Sequence, residues 1–377
     1  MKDLFEETRI NSMTLSNRFV RSATWEGMAE EDGACTRRLT NLMKKLVKGG
    51  VGMIITGHTY VHRNGQAGPW QLGVYDDRLV PGLTQMTDTV HKNNGTIVLQ
   101  LAHAGMFADP RLTGGMPIAP SDVGGFTTTP PLEMAPPQIK TVIRAFGMAA
   151  KRAQKAGFDG IQIHAAHGYL LSQFLSPLFN RRKDKYGGNI ANRTQILIEV
   201  LHEIRSRVGQ DFPVLIKINT QDCLEGGLTP EESLEAALLL QREGIDAIEL
   251  SGGTGASGKL RPVRTGIIQE EDEAYFKEAG AAFKARLDVP IMLVGGIRSY
   301  NVAKRIIQKG IADYICMSRP LIREPDLIKR WHSGDHRKAT CQSENRCFIP
   351  IRTGKGVCCV VEQELKTAQK KSSTKKR

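Results

Sequence analysis

No stretch of about 18 consecutive apolar residues occurs in the 377-residue chain, so no helix suited to crossing a bilayer is expected. The opening, MKDLFEETRINSMTL, lacks the apolar core of a secretory leader. Secretion is therefore not expected, and a cytoplasmic protein is the default. No G-x-G-x-x-G turn follows an early strand-like run, which removes the usual mark of a doubly wound dinucleotide-binding sheet. Acidic residues are scarce relative to basic ones, 39 against 52, for a net charge of +13. Six of those positive charges fall in KTAQKKSSTKKR (366–377), which has no acidic residue. The remainder is about +7, with no basic helix face evident along the string. A short like-charge tail is expected to be solvated and disordered, which ranks nucleic-acid binding as a secondary reading.

What is present is ordinary globular composition, 40% hydrophobic and 24% charged, at a length that suits one large barrel or two medium domains. Eight Val- and Ile-rich runs read as strands: 18–24, 52–58, 96–103, 159–166, 213–219, 246–253, 290–296 and 312–319. Amphipathic stretches such as PEESLEAALLLQREG separate them, and glycines close several of these before the next strand. Continuous apolar strands alternating with helices imply a parallel sheet covered on its faces, and eight such units imply a closed TIM (β/α)8 barrel. RINSMTLSNR reads as a short N-terminal hairpin at the barrel bottom, and 104–137 is too long for a passive loop. The expected organisation is a barrel over 1–335, a cysteine-containing extension over 336–365, and the basic tail over 366–377.

Chemistry in this architecture sits at the C-terminal ends of the strands. Strands seven and eight end in VGGIRS and CMSRP, so Gly295, Gly296, Ser318 and Arg319 form a candidate phosphate site. Tight turns are the plainer explanation for the glycines. Lys217 ends an apolar strand, where its ammonium is suited to a Schiff base, to anion stabilisation, or to simple snorkelling. Gln100 offers an amide to the edge of a heterocycle, or satisfies nearby backbone. Strand four ends in HAAHGY. His164 and His167 reach one site only if the strand stops between them, which Gly168 favours. The spacing leaves metal binding, with His103 as third ligand, level with carbonyl binding, and structural histidines close behind. Tyr169 beside them is placed to donate a proton.

These segments, LSNRFVRSAT, LQLAHAG, HAAHGYLLSQFLSPLFNRRKDKYGGNIANR, VLIKIN, VGGIR and MSRPLIREP, together resemble the old yellow enzyme family of FMN-dependent ene-reductases over essentially the whole chain. Within it the chain looks most like the 2,4-dienoyl-CoA reductase branch, whose members often carry a second flavin domain; this chain shows none, so a stand-alone reductase is expected. The resemblance implies FMN held by Ser22, Ala23, Thr24, Gly57, Gln100 and Lys217 around the ring and by Gly295, Gly296, Ser318 and Arg319 at the phosphate. It implies that His164 and His167 hold a substrate carbonyl, that Tyr169 protonates the α-carbon, and that NADH or NADPH is the reductant. The implied partner is a small molecule, an enone, enoate or enoyl-CoA ester; a homo-oligomer stays open. Trp25 stands where the family has a small or polar flavin-tuning residue.

The branch also ligates a [4Fe–4S] cluster. CQSENRCFIPIRTGKGVCC supplies Cys341, Cys347, Cys358 and Cys359 but puts Glu344 where the second thiolate belongs. A carboxylate is a poor substitute for a soft ligand, so loss of the cluster is the expectation. Cys35, Cys223 and Cys316 stand apart. Two other readings are a flavin-free lyase using Lys217 and a basic-tailed binding protein on a barrel.

Overall fold

The computed structural model describes residues 2–374. A hairpin of β1 (Thr8–Ile10) and β2 (Met13–Leu15) precedes the barrel. The barrel strands are β3 (Phe19–Arg21), β4 (Met53–Ile55), β6 (Ile97–Ala102), β9 (Gly160–Ala165), β10 (Val214–Asn219), β11 (Ala247–Ser251), β12 (Ile291–Leu293) and β13 (Tyr314–Met317), and each falls inside a run expected to be a strand. All pair in parallel in sequence order, β13 closing on β3 and β4 on β6, which makes the eight-stranded closed barrel. Short β5 (Thr59–Tyr60) adds to β6, and β7 (Ile118–Ala119) pairs with β8 (Leu132–Glu133) inside the long third connection.

The outer ring is α1 (Arg37–Lys48), α2 (Val80–His91), α3 (Pro110–Thr113), α4 (Pro136–Lys155), α5 (Leu170–Leu175), α6 (Ile190–Val208), α7 (Pro230–Arg242), α8 (Lys277–Lys284), α9 (Tyr300–Gln308), α10 (Arg319–Arg323) and α11 (Leu327–His332), followed by α12 (Val360–Thr374) in the extension. Side-chain caps open several of them, Thr36 for α1, Asn189 for α6 and Thr229 for α7, by accepting from amides of the first turn.

The strand period of two sorts every side chain. Outward residues such as Ile161, Ile163, Ile216, Ile248 and Leu250 pack under the helices. Inward residues at the bottom, among them Val20, Met53, Val98, Leu215, Ala247 and Met292, form a separate core that the hairpin seals with Ile10, Met13 and Leu15. One step further along the same strands the inward positions become polar: Ser22, Gln100, Gln162, Lys217 and Glu249, all buried. The barrel is thus an apolar plug beneath a polar layer.

Two expectations are corrected. Residues 366–374 of the tail are helical, continuing α12, where Lys366 pairs with Glu362 one turn back; 375–377 lie outside the described residues. Secondly, there is a basic helix face. Arg37, Arg38, Lys44, Lys45 and Lys48 share the exposed side of α1, while Leu39, Met43, Leu46 and Val47 are buried. Among the described residues no helix is long and apolar enough to cross a membrane.

Candidate active site

The polar layer is a connected network. Lys217 and Glu249 are register partners on β10 and β11, with Nζ 2.9 Å from Glu249 Oε1. Ser22 Oγ donates to that oxygen at 2.5 Å and accepts from Nζ at 3.0 Å. Glu249 Oε2 accepts from Gln162 Nε2 at 2.8 Å, and Gln162 Oε1 from Gln100 Nε2 at 2.8 Å. A buried carboxylate is tolerated only when its lone pairs are filled, and this one takes three donors. The network fixes the rotamers of Gln100, Lys217 and Ser22, three of the residues expected at a flavin ring. Glu249 and Gln162, which hold them, were not singled out in the sequence; a carboxylate and an amide at inward positions of apolar strands were the available signal.

Beside this layer a cavity is lined in part by Ser22, Ala23, His167, Lys217, Gly296 and Arg319, with Ser251, Ser318 and Tyr275 also in the wall. Gly295 and Gly296 have φ of 138° and 75°. A Cβ on Gly296 would lie 2.9 Å from the Tyr275 ring, so only glycine suits that turn. The amides of Gly295, Gly296 and Ser318 have no acceptor among the described residues. Arg319, buried at the start of α10, spends Nη1 on Asn345 Oδ1 at 2.7 Å and has other donors free. Thr24 bonds Ser318 Oγ at 2.7 Å, tying the first strand end to the eighth. Gly57 donates its amide to Glu26 Oε1 at 2.9 Å, and Glu26 is itself paired with buried Arg21 at 2.9 Å. Gly57, Thr24, Gln100, Gly295, Trp25, His164 and Tyr169 are not in its wall.

Strand β9 ends at Ala165, and the chain then turns sharply: His167 has φ of 65° and Gly168 81°. This turn brings both imidazoles to one side, with ring centroids 5.2 Å apart. His167 is held by its amide on Asn219 Oδ1 at 3.0 Å and by Nε2 on Ser251 Oγ at 2.7 Å. His164 Nδ1 is buried without a partner among the described residues. Burial holds both imidazoles well below the usual histidine range, and Lys217 and His58 add like-charge repulsion. Both are therefore neutral at pH 7, each with one donor and one acceptor nitrogen. Tyr169 packs on His164 at 5.0 Å between centroids, and burial pushes its phenol up. Its hydroxyl lies 3.3 Å from His58 Nε2, and His58 in turn stands edge-on to Trp25.

His103 does not join this group. Its Nε2 meets Asn64 Oδ1 at 2.8 Å and its Nδ1 accepts from the Gly105 amide at 3.1 Å, which overturns the three-histidine metal reading. Among the described residues no three metal-ligating side chains are placed to share one ion. Cys341, Glu344, Cys347 and Cys359 do line one small pocket beside Arg319 and Arg323, while Cys358 lines the adjacent groove under α1. Glu344 is paired with Arg346 at 3.8 Å, and burial pushes Cys347 up to about 12. This donor set does not fit a four-iron cluster.

The mouth of this (β/α)8 barrel joins open amides and a buried arginine to a fixed cation–amide network, at the end of the fold where barrel active sites lie. The NADH:flavin oxidoreductase / NADH oxidase family model matches residues 3–338, and the chain belongs to that family. It is 35% identical over 337 residues to an NADH oxidase of Thermoanaerobacter brockii, covering 88% of this chain and 51% of that protein. It is 34% identical to an NADPH dehydrogenase of Clostridium acetobutylicum over 86% of this chain and 93% of that one. A 2-naphthoyl-CoA reductase structure superposes with a TM-score of 0.88 at 26% identity, covering 94% of this chain and 56% of that chain. The chain thus spans about half the length of the NADH oxidase and of the naphthoyl-CoA reductase.

Proposed function

We propose that the chain is an FMN-dependent oxidoreductase that uses NADH or NADPH to reduce the activated C=C bond of an α,β-unsaturated carbonyl compound. The observation that carries this reading is the unpartnered, buried His164 Nδ1 beside His167 and Tyr169, next to the Lys217–Glu249 network. A buried ring nitrogen without a partner is costly, and a substrate oxygen would satisfy it. The donors at and beside the adjoining cavity suit FMN. The amides of Gly295, Gly296 and Ser318 with Arg319 would take the phosphate. Ser22 to Thr24, Gly57, Gln100 and Lys217 would border the ring, with Trp25 at its edge. Bound there, FMN supplies a hydride donor. The chain's own part is to fix the carbonyl through His164 and His167 and to deliver a proton from Tyr169 Oη to the α-carbon. The relatives' names support both nicotinamides, and the naphthoyl-CoA complex supports a thioester among the enones and enoates. A Schiff-base lyase is disfavoured because Lys217 Nζ is already engaged by Glu249 and Ser22.

Tyr169→Phe tests the assignment. Flavin reduction by NAD(P)H should stay near wild type, while alkene reduction slows by about 10² to 10⁴-fold, the usual size of a general-acid effect. An unchanged alkene half-reaction would remove Tyr169 from the mechanism.

A further inference from the structure

Each turnover that takes a proton from Tyr169 leaves a phenolate in a site where burial disfavours that charge. The proton must be replaced before the next turnover, and among the described residues one neighbour is in hydrogen-bond reach of the hydroxyl. His58 follows β4 and β5 begins at the next residue, so its ring is carried on a short, pinned connection: its carbonyl accepts from Gln71 Nε2 at 2.9 Å. Its Nε2 lies 3.3 Å from the Tyr169 hydroxyl, with the two rings edge to face at 5.4 Å. Its ring also packs against Trp25, with centroids 5.9 Å apart, so two aromatic contacts hold its plane.

The two nitrogens of His58 differ. Nε2 faces Tyr169. Nδ1 has no hydrogen-bond partner among the described residues, and His58 is only partly buried. An imidazole with one nitrogen on the acid and the other on water is a two-ended proton carrier.

Resting on the proposed role of Tyr169, we infer that His58 is the proton conduit that reprotonates Tyr169 from solvent. His58 Nε2–H gives its proton to the phenolate oxygen while Nδ1 takes one from solvent, which leaves the ring as the Nδ1–H tautomer; exchange with solvent after product release returns it to Nε2–H. The sum is one solvent proton consumed per alkene reduced, and no oxidant or reductant enters the step. The titratable and aromatic groups facing His58 are Tyr169, Trp25, His164 and His167. Burial holds His58 down to about 4, so the carrier rests neutral at pH 7 and both nitrogens keep complementary roles.

The test separates the first turnover from the second. Pre-reduced holoenzyme starts with Tyr169 protonated, so its first enone turnover does not need His58. In His58→Phe, which keeps a ring against Trp25 and Tyr169, the first turnover should run at the wild-type rate. Later turnovers should slow by about 10²-fold, at the low end of acid–base effects, giving a burst of one product per site. A tyrosinate ultraviolet band should appear after that burst and be missing from Tyr169→Phe/His58→Phe. In His58→Ala, added imidazole should restore the later turnovers. A first turnover slowed as much as the later ones would overturn the inference, since it marks a packing role. Wild-type speed in every turnover would overturn it too. Failure of the underlying reading shows differently: Tyr169→Phe alone would then leave alkene reduction unchanged.

Discussion

Replacing Glu249 by Gln removes a charge and almost no volume, and the network around it sets the magnitude. Glu249 is fully buried, Lys217 is 4% exposed, and among the described residues Nζ has only Glu249 and Ser22 as partners. The variant strands a buried ammonium, which typically costs 3–5 kcal/mol. It also places a second amide against Gln162, whose Nε2 needs an acceptor, so the disturbance passes to Gln100. A loss of about 3 kcal/mol is expected in urea unfolding at pH 7. Because replacing both partners by apolar groups is often neutral, Lys217→Met/Glu249→Leu should be less destabilised than the sum of its singles, with a coupling of about 2–3 kcal/mol. The same variants should bind FMN more weakly, since Lys217 and Gln100 lose their fixed orientation. A Glu249→Gln cost below about 1 kcal/mol, or strict additivity in the cycle, would refute the claim that this pair organises the barrel mouth.

Gly296→Val forces a branched residue into φ of 75° against Tyr275, so a stability loss of about 1–3 kcal/mol and a clear drop in FMN affinity are expected by flavin-fluorescence titration. Arg319→Ala deletes a charged donor at the proposed phosphate; at about 1.5–3 kcal/mol, FMN dissociation should rise roughly 10- to 150-fold in the same titration. Burial holds His103 down to about 3 against an ordinary 6.5, so the unfolded chain binds this proton first as pH falls. Stability is therefore full above 6.5 and lost at up to roughly 1.4 kcal/mol per pH unit below it, and His103→Asn should show a shallower slope in pH-dependent urea unfolding. Iron and sulfide analysis of anaerobically purified protein should fall well short of one four-iron cluster per chain.

The barrel was legible because its strands are apolar on both faces and its helices are not. All eight runs became strands, and the period of two also explains why the hairpin residues Ile10, Met13 and Leu15 end under the inward core. The HAAHGY turn was legible for a local reason: two histidines three apart share a site only where the strand stops, and His167 and Gly168 supply that turn. Glu249 and Gln162 were not, because a polar residue inside an apolar strand has meaning only once its neighbours across the barrel are known. His58 was visible at a strand end but had no assignable partner, since Tyr169 lies 111 residues away. The basic face of α1 was hidden because RRLTNLMKKLVK interleaves its cations with the residues that bury. Cysteine spacing suggested a cluster but could not show that Cys358 turns to another groove, or that Arg346 takes Glu344.

The central claim is tested most directly by the cofactor and its two half-reactions in the purified protein. The account predicts a yellow protein with one extractable FMN per chain, bleached anaerobically by NADH or NADPH and recoloured by an enone, enoate or enoyl-CoA ester with formation of the saturated product. A colourless protein that binds no FMN when supplied with it would contradict the account. So would a flavin that nicotinamide reduces but that no member of those three substrate classes reoxidises.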